Sequence, residues 1–164
     1  TVLTQLSKMQ PTPRKIDFGS SEGLSSNTWS TLLGVVAHGP VAQLNFEECS
    51  LDEAKATAIA PELRQMQKTL RSINFSGNPS ITSSAWSALL SALVGGIMEE
   101  LNFALCSLDE AKATAIAPEL RQMQKTLRSI NFSHNSSIIS SAWSALLSAL
   151  AGGSMEELNF EECS

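Results

Sequence analysis

Short apolar clusters alternate with longer amphipathic stretches along the chain, at a nearly fixed interval. The triplets Ile16-Asp17-Phe18, Leu44-Asn45-Phe46, Ile73-Asn74-Phe75, Leu101-Asn102-Phe103, Ile130-Asn131-Phe132 and Leu158-Asn159-Phe160 each set a polar residue between two apolar ones. A period of two marks a short strand with one buried face. The triplets recur at steps of 28, 29, 28, 29 and 28 residues. Around them the apolar positions continue as Val41, Leu44, Phe46, Cys49 and Leu51 in one repeat and Leu70, Ile73, Phe75, Asn78 and Ile81 in the next.

A helix is predicted after each strand. Asp52 is a suitable N-cap ahead of Ala54, Ala58 and Ile59, and the segment runs on through Leu63 and Met66. Pro61 lies inside it and predicts a kink or a restart. The alternate helix, spanning Ser84 to Leu93, is expected to be capped by Ser83 or Ser84 and ended by Gly95-Gly96. Trp29, Trp86 and Trp143 hold one position in three such helices and read as packing residues. Six strands and five complete strand-to-helix connections follow.

A longer period overlies this one. Leu44–Glu100 and Leu101–Glu157 are 57-residue blocks that match at 50 positions and differ at seven. Residues 1–43 align more loosely with 58–100, through Leu6, Met9, Gln10 and Thr12 among others, and Leu158–Ser164 begins a third block. The expected organisation is one domain, 1–164, with units 1–43 (partial), 44–100, 101–157 and 158–164 (partial), as in a segment of a longer array.

Alternating 28- and 29-residue repeats, with Cys in one and Asn in the next, resemble the ribonuclease-inhibitor-like subclass of leucine-rich repeats. The resemblance implies an α/β fold: a right-handed solenoid, or horseshoe, with a parallel concave sheet of about six strands and helices on the convex side. Two features depart from the pattern. Phe takes the second core position of every strand where Leu is usual, and Ser21 stands at the Asn/Cys position of the first repeat. Asn78 and Asn135 are expected to bond backbone groups in the turn leaving the strand, with Cys49, Cys106 and Cys163 in the equivalent niche.

Charge and composition narrow the function classes. There are 16 acidic and 11 basic side chains, a formal net charge of −5, and no basic run, so nucleic acid is not an expected partner. No apolar stretch reaches the roughly 18–20 residues of a membrane span. The three Cys are 57 residues apart, which indicates a repeated structural position rather than a disulfide framework. Unpaired thiols and the lack of a secretory pattern at Thr1–Gln10 lean towards a reducing, cytoplasmic compartment.

Alternation along each strand places one set of side chains on the hollow of the solenoid. One column reads Lys15, Gln43, Ser72, Glu100, Ser129, Glu157; the central one reads Asp17, Asn45, Asn74, Asn102, Asn131, Asn159. A third reads Gly19, Glu47, Ser76, Ala104, Ser133, Glu161, and the strand exits carry Ser20, Glu48, Gly77, Leu105, His134 and Glu162. The differences between the blocks are Glu47/Ala104, Glu48/Leu105, Gly77/His134, Pro79/Ser136, Thr82/Ile139, Val94/Ala151 and Ile97/Ser154. Three of them fall on this surface, whereas Asp52–Lys68 and Asp109–Lys125 are identical. A constant scaffold with a varied inner surface is the pattern of a binding array.

The candidate partner-binding residues are therefore Gln43, Asn45, Glu47, Glu48, Asn74, Glu100, Asn102, Leu105, Asn131, His134 and Glu157. The Asn column has a structural alternative, in which stacked amides bond sideways and hold the strands in register. The expected partner is a protein with a basic patch. Head-to-tail self-association through uncapped ends is a second expectation. A repeat spacer with no partner, natural or engineered, stays open. So does the sensor or regulatory segment of a larger receptor, effector or GTPase regulator. No catalytic, cofactor or metal-binding residues are expected: glycine-rich phosphate loops, metal-ligand spacings and nucleophile–base constellations are absent from the sequence.

Overall fold

A computed structural model describes residues 13–163. The weaker matches at Leu6, Met9, Gln10 and Thr12 lie outside that range. Strands and helices alternate throughout: β1 (Lys15–Asp17), α1 (Ser26–Val36), β2 (Gln43–Asn45), α2 (Glu53–Met66), β3 (Ser72–Asn74), α3 (Ser83–Ser91), β4 (Glu100–Asn102), α4 (Glu110–Met123), β5 (Ser129–Asn131), α5 (Ser140–Leu150) and β6 (Glu157–Asn159). The six strands form one parallel sheet in sequence order. The register is unstaggered: Lys15 pairs with Gln43, Gln43 with Ser72, Ser72 with Glu100, Glu100 with Ser129, and Ser129 with Glu157. The 29-residue steps accommodate the 14-residue helices α2 and α4, and the 28-residue steps hold the shorter helices.

Packing explains why each unit depends on its neighbours. The middle residues Ile16, Leu44, Ile73, Leu101 and Ile130 point inward and are buried, as are the Phe residues that follow. Phe46 stacks on Phe75 with ring centroids 5.8 Å apart, and Phe103 on Phe132 at 5.5 Å. Each Trp enters from the helix layer and sits edge-on between two Phe rings: Trp86 lies 5.4 Å from Phe75 and 5.2 Å from Phe103. Edge-to-face contact suits the charge distribution of the rings. Helices are about 10 Å wide and parallel strands about 4.8 Å apart, so one helix per strand bends the array with the sheet on its concave side. The result is a right-handed solenoid of strand-helix units.

Helix ends depart from the expectation in instructive ways. Asp52 caps α2 by accepting from the Lys55 N–H at 2.9 Å, as the sequence indicates, and Asp109 does the same for α4. The cap of α3 is Thr82, not Ser83 or Ser84; its hydroxyl accepts from Ala85 N–H at 3.3 Å. Pro61 neither restarts nor interrupts α2, which runs unbroken from Glu53 to Met66. The carbonyl deprived of a partner belongs to Thr57; both residues are exposed, so water can satisfy it. Helix α3 ends at Ser91, before Gly95-Gly96, and Gly96 serves a tertiary contact. A β-carbon there would lie 2.4 Å from the Gln67 carbonyl oxygen, so only glycine lets the chain pass.

In α5 the cap position is Ile139, which makes no side-chain cap bond. Ile139→Thr should restore the bond seen at Thr82 and raise the unfolding free energy by about 1 kcal/mol. Urea denaturation of the two proteins side by side measures it.

Candidate functional site

The strand exits rest on a ladder of buried polar groups. Asn78 Oδ1 accepts from Leu51 N–H at 2.9 Å, while its Nδ2 donates to the carbonyls of Phe46 and Phe75 at 2.8 Å each. Asn135 repeats this with Leu108, Phe103 and Phe132. The thiols occupy the same niche: Cys49 donates to the Phe18 carbonyl at 3.1 Å, Cys106 to Phe75 at 3.2 Å and Cys163 to Phe132 at 3.0 Å. Burial pushes the Cys106 thiol up to about 12, against a smaller opposing effect of the Asn78 backbone N–H, and burial raises Cys49 as well. Neither is a nucleophile at neutral pH.

Above this ladder the chain turns through a left-handed corner in every repeat. Ser20, Glu48, Gly77, Leu105, His134 and Glu162 have φ of 59, 50, 70, 55, 58 and 52° respectively. That region favours glycine, yet only one of the six is glycine. Leu105 is the most conspicuous: a large apolar side chain on a strained corner, 53% exposed. Gly77 has its own reason, because a β-carbon there would come within 2.8 Å of Glu48 Cγ.

The asparagine column behaves differently from the sideways amide ladder the sequence suggests. Oδ1 of Asn45, Asn74, Asn102, Asn131 and Asn159 accepts from the backbone N–H two residues further on, at 2.9–3.0 Å. Each amide thus braces its own strand exit, as Asn does in turns. Sideways contacts occur at one end of the sheet: Asn45 Nδ2 donates to Asp17 Oδ1 at 2.9 Å, and Asn74 Nδ2 reaches Glu47 at 3.5 Å. The side-chain NH2 groups of Asn102 and Asn131 have no protein acceptor among the described residues, which leaves them to face the hollow.

The remaining candidates fall on one surface. Gln43, Glu100 and Glu157 are exposed along the first column, and Glu47 and Glu48 are exposed at the β2 exit. The third column is covered in the middle of the array, where Ser76, Ala104 and Ser133 are buried; of the Glu47/Ala104 pair only Glu47 reaches the exposed face. His134 is exposed, and its Nδ1 lies 2.9 Å from Glu162 Oε2 one repeat away. Two further pairs, Arg71–Glu99 and Arg128–Glu156, bridge neighbouring strand entrances. All three pairs span 28 residues, so the repeat length was their available signal. Trp29 and Trp86 are fully buried, and their indole N–H groups find no acceptor among the described residues. They are packing residues, as expected. Among the described residues no His, Cys, Asp and Glu cluster could hold a metal ion.

The fold and surface together define an α/β solenoid of the leucine-rich-repeat kind. No family model matches the chain, and no curated protein does. Solved structures do. One titled "Leiomodin-1 Actin-Binding Site 2 (ABS2)" superposes with a TM-score of 0.70 at 19% identity, covering 91% of this chain and 85% of its own. The tropomodulin C-terminal domain of Caenorhabditis elegans gives a TM-score of 0.69 at 12% identity, covering 90% and 88%. A yeast Rad7–Elc1 complex gives 0.57 at 16% identity, over 79% of this chain and 32% of that one. At these identities the likeness is one of fold.

It corrects the expected subclass. The neighbours are leiomodin and tropomodulin domains, with a leucine-rich-repeat-like fold that is not specifically ribonuclease-inhibitor-like. The 28/29 alternation and the Asn/Cys position follow from stacking one short strand and one helix per turn over a paired carbonyl. They belong to the architecture and do not set the subclass.

Proposed function

We propose that the protein is a protein-binding module that presents its concave sheet and left-handed strand exits to a partner. One observation carries this reading. Two of the seven block differences, Glu48/Leu105 and Gly77/His134, occupy the exposed corners, directly above an Asn/Cys ladder that is identical in both blocks. Part of the variation thus sits where a partner could touch, while the residues that hold the turn are constant. Backbone strain kept at an exposed position is an observation from which function can be inferred. The exposed Glu47, Glu48, Glu100 and Glu157 suit a partner with a basic patch and a salt-dependent on-rate. Leu105 offers an apolar anchor, flanked by the free amides of Asn102 and Asn131.

The leiomodin structure's title names an actin-binding site, which makes actin the first partner to test. Near-identical blocks favour the second reading, a spacer that binds nothing on this face. Actin co-sedimentation and light scattering with the wild-type chain, Leu105→Asn, and Glu47→Lys with Glu48→Lys separate the two. Asn suits the left-handed corner, so Leu105→Asn removes the anchor and keeps the turn. The expected result is binding that weakens at least about tenfold in both variants, in line with loss of a hot spot. No binding by the wild type sinks actin as partner. Equal affinity of all three proteins for a partner found by any route sinks the concave-face reading.

A further inference from the structure

The hollow of the solenoid holds a shallow trough of about 300 Å³ that runs across strands β3 to β6. One side is lined by Ser72, Glu100, Ser129 and Glu157, and the other by the amides of Asn102 and Asn131. The first row alternates long and short side chains, so a carboxylate stands on every second strand with a serine between. Arg71 and Arg128, the basic groups at the neighbouring strand entrances, are taken by Glu99 and Glu156. Glu100 has no partner among the described residues, and the Ser129 hydroxyl reaches Glu157 Oε2 at 3.5 Å. The second row offers donors. Oδ1 of Asn102 and of Asn131 is held by the strand exit, which leaves their NH2 groups for an incoming acceptor.

Spacing turns this chemistry into a partner of definite shape. Neighbouring parallel strands lie about 4.8 Å apart, so Glu100 and Glu157, two strands apart and in register, recur at about 10 Å. Gln43 extends the row by the same interval in the other direction. An α-helix rises about 1.5 Å per residue, so its positions i and i+7 lie on one face about 10.5 Å apart. An extended segment laid along the row presents same-face side chains about every 6.7 Å, which falls between the two carboxylates. Asn102 and Asn131 sit on adjacent strands, about 4.8 Å apart, close to the turn of about 5.4 Å that separates successive side chains on a helix face. Each strand is three residues long, so the trough is about 10 Å wide, the diameter of one helix.

We infer that the hollow takes an α-helix of a protein partner, laid across the strands, with basic residues at i and i+7 on Glu100 and Glu157. Acceptor side chains one turn apart lie over Asn102 and Asn131, and a neutral residue one heptad further along faces Gln43. The inference rests on the concave-face reading and gives that partner its secondary structure and charge spacing. Fluorescence anisotropy of synthetic peptides with the full chain at low salt tests it. Two alanine-rich, helix-forming peptides of one composition and about 21 residues carry two arginines each, seven apart in one and five apart in the other. A third keeps the seven-residue spacing but has a central proline that breaks the helix.

The heptad-spaced helix is expected to bind at least about tenfold more tightly than either other peptide, and less tightly as salt rises. Glu100→Gln and Glu157→Gln should each abolish that preference without changing the thermal melt, since both side chains are exposed. Glu100→Arg should come to prefer a heptad-spaced peptide in which one arginine is replaced by glutamate. Equal affinity for the three peptides, or no binding of any up to about 1 mM, overturns the inference. Tighter binding of the proline peptide identifies an extended partner and overturns it too. The concave-face reading fails separately. A partner weakened by Leu105→Asn and by Glu47→Lys with Glu48→Lys, yet indifferent to Glu100→Gln and Glu157→Gln, leaves that reading standing and refutes the helix.

Discussion

Replacing Asn78 by Ala is expected to lower the unfolding free energy by roughly 3–5 kcal/mol, because it strands two buried backbone groups at about 1–3 kcal/mol each and removes their bonds. Among the described residues the Leu51 N–H and the Phe46 carbonyl have only the Asn78 amide as partner, whereas the Phe75 and Ser76 carbonyls keep other donors. Asn78 is itself fully buried, so no water replaces the lost amide. Asn78→Cys should recover about half the loss: a thiol reaches the Phe46 carbonyl, as Cys106 reaches Phe75, but has no acceptor strong enough for the Leu51 N–H. Urea unfolding followed by circular dichroism ranks the three proteins. An Asn78→Ala protein as stable as wild type would show that the ladder is not what holds the strand exits.

The second large effect separates sequence from position. Trp86 and Trp143 occupy the same place in two nearly identical blocks, but Trp86 is fully buried between Phe75 and Phe103, whereas Trp143 is only half-buried beside Phe132 and Phe160. Trp86→Ala should cost about 3–5 kcal/mol through lost burial and the cavity left behind. Trp143→Ala should cost about half as much, since part of its surface is already wet. Trp86→Phe should be the mildest of the three, because the indole N–H has no acceptor to lose. Thermal melts of the variants give the comparison, and equal losses at Trp86 and Trp143 would contradict a solenoid stabilised by contacts between neighbouring repeats.

Both predictions draw on features legible to different degrees in the chain. The triplets from Ile16-Asp17-Phe18 to Leu158-Asn159-Phe160 marked the strands, and equal numbering within the repeat put Lys15, Gln43, Ser72, Glu100, Ser129 and Glu157 in one row, as the sheet register does. The buried role of Asn78 and of the Cys niche was also readable, because a turn leaving a buried strand must pair its carbonyls. The subclass was not readable, since repeat length constrains how units stack and not their descent. Nor was the cap of α3, where three successive hydroxyl residues, Thr82, Ser83 and Ser84, compete and backbone direction decides among them.

Periodicity alone settled the number of strands, their parallel order and which residues face inward, because a stack of equal units admits one register that buries Leu, Ile and Phe together. Other features depended on the folded chain. The asparagine carbonyl oxygens brace their own corners, where the left-handed turn presents an N–H, and among the described residues sideways bonds from the amides occur only at Asn45 and Asn74. Ser76, Ala104 and Ser133 lost their exposure to the neighbouring exits, and His134 found Glu162 one repeat away. Those outcomes turn on the few ångströms between adjacent units and on the sign of φ at each strand exit, and spacing along a sequence contains neither.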